Sequence, residues 1–288
     1  MKVTVRLLSF LLAVLLLVPS LFACGDRDGR EKIAVTILPQ VELVSAVAGE
    51  DFHVVALVPP GYSPEGYEPT VRAMADFSDS LLYFSIGIPM EATSLLPSLS
   101  ATTRHIPLAD GVSAVYPDLS IHGGRDPHIW LSPKRVKHMV GMIADELSAL
   151  RPERAAVYRG NAASYCAALD EADAEIREML ASCERKEFIA YHPAFAYFAE
   201  EYGLTMHAVE AHGSEVSPMD RAAIESLARE RDIKVIFYQE ETGARQAASI
   251  AEAIGGRAVM LSPLSGNYLQ NLKNMAREIV AAMESEAP

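Results

Sequence analysis

The 288-residue sequence is poor in cysteine, in tryptophan and in basic residues, and each shortage excludes something. Its three cysteines, Cys24, Cys166 and Cys183, include no Cys-x-x-Cys pair, so a thiolate metal site has no basis. If Cys166 and Cys183 share one helix they stand roughly 25 Å apart at 1.5 Å per residue. A disulfide needs Cα atoms within about 7 Å, so the two are expected as core filler. Lys and Arg number 25 against 38 Asp and Glu, a formal charge of −13. Such an acidic surface repels nucleic acid and argues against a polyphosphate ligand. There is no His-Glu-x-x-His, no nucleophile elbow and no phosphate loop, so nothing in the motifs supports hydrolase chemistry. Internal repeats and low-complexity tracts are also absent.

The one long hydrophobic run is N-terminal. Lys2 and Arg6 precede Leu7 to Leu17, which is short for a bilayer span, and the run leads to Leu21-Phe22-Ala23-Cys24. This pattern is that of a secretory signal over residues 1–23 with a lipobox-like cleavage site. The mature chain is then expected to begin at a lipid-modified Cys24, with 24–30 as a polar tether. Removing Lys2 and Arg6 takes the formal charge from −13 to −15.

Apolar runs alternate with helical spacing through both halves of the remaining chain. Ile33–Leu38, Val54–Val58 and Ser80–Ile86 read as strands, and Val41–Val47 as a helix closed by Gly49. In the second half the predicted strands are Phe188–Tyr191, Leu204–Val209, Ile233–Tyr238 and Arg257–Leu261, with helices between them. Ser217-Pro218-Met219-Asp220 forms a helix start with proline at the first helical position. A last amphipathic helix carries Leu272, Met275, Ile279 and Met283 on one face. Strands alternating with helices predict parallel sheets with crossover helices.

Between the halves, residues 134–184 hold a single proline, Pro152, and no turn cluster. Tyr158, Ala162, Tyr165, Leu169, Ala172, Ile176 and Leu180 recur at threes and fours, which predicts one helix over about 152–183, on the order of 45 Å long. The expected fold class is α/β: two small parallel-sheet lobes, 31–145 and 186–288, joined by one long rigid helix within 146–185.

Three side chains stand where such a fold gathers ligands, beyond the carboxyl ends of strands. Glu65 lies in the turn "GYSPEGYEPT", His128 in "DPHIWLSP" and His192 in "YHPAFAYF". Pro64, Pro127 and Pro193 adjoin them and would fix their loops. The two lobes would thus turn two imidazoles and a carboxylate toward one cleft.

These stretches, with "ILPQ", "HPAFAYFAEEYGL", "SPMD", "IFYQEE" and "LSPLSGNY", resemble the metal-binding substrate-binding proteins of zinc and manganese ABC transporters, the cluster A-I family. The resemblance spans nearly the whole mature chain. It implies a divalent metal held in the cleft between the lobes and a monomeric, membrane-anchored, extracytoplasmic protein that is not an enzyme. Its partners would be an ABC permease and its ATPase. Carried over by motif, His128 and His192 match two of the family's ligands. The family's first histidine has no counterpart, and Glu65 is the nearest side chain. Where the family places a late acidic residue this chain has Ser262, so Glu240 is the expected fourth ligand and Glu215 a weaker one. Zinc is the expected cargo, with Mn2+ or Fe2+ the alternatives for such a donor set. A surface adhesin lipoprotein with a weakened metal site is the other reading that the missing ligands leave open.

Overall fold

A computed structural model describes residues 29–121, 123–210 and 216–284, so the signal segment and Cys24 lie outside the described residues. The first lobe opens with strand β1 (Lys32–Val35), helix α1 (Leu38–Ala48) and strand β2 (His53–Ala56), followed by helix α2 (Val71–Ser78). Strand β3 (Ser80–Ser85), strand β4 (Arg104–Pro107) and helix α3 (Leu108–Ser113) complete its sheet layer. The four strands pair in parallel in the order β2-β1-β3-β4. Ile33, Ala34 and Val35 on the inner strand β1 are fully buried, which is why this run reads as continuously apolar rather than alternating. The reading of the sequence overlooked β4, whose Arg-His-Ile-Pro edge carries no hydrophobic pattern. It also overlooked a small antiparallel hairpin, β5 (Ser120–Ile121) with β6 (Gly124–Arg125).

Helix α4 (Pro133–Leu150) leads out of this lobe and helix α5 (Ala155–Ala181) runs back along it. The segment assigned to one connecting helix, 146–185, therefore holds the end of α4, a 3-10 turn at Pro152–Arg154 and all of α5. Proline has no N–H to extend the ladder of α4 and disfavours helical backbone at the residue before it, so the chain breaks at Arg151. The 27 residues of α5 are uninterrupted, on the order of 40 Å. Its buried face is the predicted one: Tyr158, Ala162, Tyr165, Leu169, Ala172, Ile176 and Leu180.

The second lobe comprises β7 (Glu187–Ala190), α6 (Ala196–Tyr202), β8 (Thr205–Ala208), α7 (Pro218–Glu230), β9 (Val235–Gln239), α8 (Ala244–Ala253), β10 (Arg257–Leu261) and α9 (Tyr268–Glu284). Its parallel order is β10-β9-β7-β8. Ser217 caps α7 by accepting from the Asp220 N–H at 3.1 Å, as the sequence predicts. Cys166 and Cys183 are both free thiols.

Polar ties fix one lobe on the other. Glu42 of α1 accepts from the Tyr165 hydroxyl (2.6 Å) and from the Tyr268 (2.6 Å) and Leu269 (3.3 Å) N–H groups, capping α9 from the opposite lobe. Trp130 Nε1 donates to the Pro263 carbonyl at 3.0 Å, and the Tyr268 hydroxyl donates to the Trp130 carbonyl at 2.6 Å. Arg135, 1% exposed, donates to Glu200 (2.9 Å) and to the Pro117 carbonyl (2.9 Å), with its guanidinium 4.3 Å from the Tyr197 ring centre. One buried cluster runs from Leu43 and Phe84 through Leu169 to Phe198 and Leu272, so the lobes share a core.

Candidate metal centre

After β2 the chain runs Leu57-Val58-Pro59-Pro60 into Gly61, whose φ of +80° is a left-handed turn that glycine adopts without strain. The turn carries the loop over the cleft, anchored by Tyr67, which is 9% exposed and packs edge-on against Tyr62 at 5.3 Å. Glu65 projects from this loop. His128 sits immediately before the 3-10 turn Ile129–Leu131, and His192 immediately before the 3-10 turn Pro193–Phe195, two residues beyond β7. Both rings are buried, whereas the Glu65 side chain is 39% exposed.

The three meet. Glu65 Oε1 lies 3.3 Å from His192 Nε2 and 4.0 Å from His128 Nε2, and one ligand atom from each residue falls within 4.8 Å of the others. The two imidazoles face each other edge-on with ring centres 5.4 Å apart. They enclose a cavity of about 10 Å3, lined also by Trp130, Gln239, Pro263 and Leu264. That is the space of one water molecule. Ligand atoms about 2.0–2.2 Å from a tetrahedral ion stand roughly 3.3 Å from one another, so the cluster need close by no more than about 1.5 Å.

A carboxylate stands behind each imidazole. Asp126, fully buried, accepts from the His128 backbone N–H at 2.9 Å and from its ring Nδ1 at 2.7 Å. Glu210 accepts from His192 Nδ1 at 2.9 Å. With each Nδ1 donating outward, the Nε2 atom of each ring is the one that faces the cavity, and it would bind a metal once free of its proton. Asp126 Oδ2 is buried without a hydrogen-bond partner among the described residues. Burial acts to lower the His192 pKa. Hydrogen bonds to Glu210 and Glu65, with the charges of both carboxylates, overcome it and raise the value to about 9.

Glu240 does not join the cluster. Gln239, the last residue of β9, lines the cavity, whereas Glu240, in the turn that follows the strand, is exposed and lines a separate groove of about 340 Å3 with Glu241 and Ser262. Ser262 lines that groove and is not among the residues lining the imidazole cavity, and Glu215 lies outside the described residues. Asp126, Glu210 and Gln239 were not singled out from the sequence. Asp126 was visible as the first letter of "DPH", two residues before a candidate ligand, and Glu210 follows the end of β8, the strand paired with β7.

The profile of the family described as ZnuA, "Zinc-uptake complex component A periplasmic", matches residues 33–282. The zinc-binding protein AdcA of Streptococcus pyogenes is 26% identical over 271 residues, covering 85% of this chain and 53% of AdcA. The chain thus spans about half the length of that relative. A crystal structure of ZnuA superposes with a TM-score of 0.84 at 31% identity, covering 88% of this chain and all of the other. A zinc-bound ZnuA deletion mutant lacking 138–173 of its own numbering superposes with a TM-score of 0.83 at 30% identity, over 89% of this chain and 99% of the other.

Proposed function

Because the chain belongs to the ZnuA family of zinc-uptake components, we propose that it captures one zinc ion outside the cytoplasm and hands it to an ABC permease. The observation that carries this reading is the convergence of Glu65, His128 and His192 on an ion-sized cavity, each imidazole backed by a carboxylate. Two nitrogens and an oxygen suit zinc, and zinc outranks manganese and ferrous iron at such a site. Glu65 takes the position of a third imidazole, and the ion is cargo that takes part in no catalytic step. Lipid at Cys24 would hold the protein beside the permease.

Elemental analysis and competition titration of residues 25–288 test this. One zinc per chain after reloading is expected, with loss of binding in His128→Ala. A protein that takes up no zinc, or one that binds it undiminished without His128, would overturn the reading.

A further inference from the structure

We infer that Gln239 completes the metal site, its side-chain amide donating a hydrogen bond to the water that fills the ion's fourth position. The inference rests on the metal-capture reading above and goes beyond it in assigning the position that neither Glu240 nor Ser262 occupies.

Three protein ligands leave one corner of a tetrahedron. Around the cavity Trp130, Pro64, Pro263 and Leu264 offer apolar surface, and Ser63 is half exposed. Gln239 differs from all of them. It is a polar side chain only 5% exposed, and its Nε2 is buried with no hydrogen-bond partner among the described residues. Buried amide donors are rarely left unpaired, and each such case calls for a missing partner.

The register explains its placement. Gln239 ends β9, which lies between β7 and β10, and it pairs across from Leu261. It is flanked on one side by the strand that delivers His192 and on the other by the strand leading to Pro263 and Leu264. Its nitrogen can only donate, so it cannot bind a cation itself. The acceptor it meets must be carried by the ion, and a bound water is such an acceptor. An amide turned about its last bond would instead offer Oε1 to the metal directly.

The test compares the parent protein, Gln239→Leu and Gln239→Met, with His128→Ala in parallel. Removing an unpaired buried amide should leave the metal-free melting temperature unchanged or raised. Zinc affinity should nevertheless fall by about 10-fold, as when an outer partner of a metal site is lost. Water-proton relaxation by the copper-loaded parent should report a coordinated water. A lowered melting temperature in both metal-free variants would make the amide structural and overturn the inference, as would undiminished zinc affinity or a parent without a coordinated water. If His128→Ala loses zinc while Gln239→Leu and Gln239→Met keep it, the site stands and Gln239 falls. If the parent binds no zinc, both fall.

Discussion

Glu65 and His192 come from opposite lobes, and their Oε1 and Nε2 atoms lie 3.3 Å apart. In the metal-free protein this contact is an ion pair, with the His192 pKa raised to about 9, so the proton sits where an ion would bind.

Zinc binding near neutral pH should therefore release a proton from His192. A free imidazole would compete only below about pH 6.5. Here the competition begins near pH 9, and affinity should fall with pH from there downward, by up to about tenfold per pH unit for this one group. The same shift stabilises the metal-free fold: the contribution is fully present below the unfolded value near 6.5 and is lost as pH rises through about 9. Calorimetry in buffers of differing ionisation enthalpy would count the released proton. A count near zero at pH 7.5 would exclude a charged His192.

Replacing His192 removes both a ligand and the partner of Glu210. His192→Ala should weaken zinc binding by at least about 100-fold, beyond the range for outer partners. Glu210→Gln keeps the hydrogen-bonding shape and loses the charge, so a smaller loss, on the order of 10-fold, is expected. Competition against a chelating indicator would rank them. Equal losses in the two variants would contradict the assignment of His192 as ligand and Glu210 as its support.

Part of this arrangement was legible in the sequence because strand-end loops in parallel α/β sheets gather ligands: Glu65 and His192 come after β2 and β7 of the parallel sheets, whereas His128 follows β6 of the antiparallel hairpin. The long apolar spacing of α5 was legible for the same reason that it is stable: one face is buried along its whole length. What escaped was set by tertiary pairing. Arg104–Pro107 becomes a strand because β3 presents an open edge, not because of its own pattern. Glu240 is the expected fourth ligand because it is a carboxylate at the end of a strand, yet it falls in the exposed turn after β9, while Gln239, the last residue of β9, is the buried one. The charges backing the imidazoles come from hydrogen bonds two and eighteen residues away, which spacing alone does not reveal.

The tie between lobes at Glu42 makes a stability prediction. Glu42→Ala would remove the acceptor of the Tyr165 hydroxyl and of two N–H groups at the start of α9. Charged hydrogen bonds of this kind are worth about 1.5–3 kcal/mol each before compensation by water, so a loss of about 3 kcal/mol in unfolding free energy is expected. Urea unfolding of the metal-free protein would measure it. A change below about 0.5 kcal/mol, the range of ordinary surface substitutions, would show that the capping contact does not hold the lobes.

The chemistry of Glu65 itself separates it from the imidazole it replaces. Its loop is held by Pro64 and by the buried Tyr67, so a substitution at 65 should alter the donor without displacing the turn. Glu65→Gln removes the negative charge that lies 3.3 Å from His192 and 4.0 Å from His128. Two effects should follow together. The His192 pKa in the metal-free protein should drop from about 9, because one of its two raising partners is neutralised while Glu210 remains. Zinc affinity should fall by on the order of 100-fold, since an amide oxygen is a weaker ligand than a carboxylate and bears no charge. Glu65→His should keep zinc bound but weaken manganese, because carboxylate oxygen suits manganese and imidazole favours zinc. Parallel titrations with both metals, with the imidazole followed by NMR, would read all three effects. A shifted His192 pKa with zinc affinity unchanged in Glu65→Gln would mean that the carboxylate pairs with the histidine without ever reaching the metal.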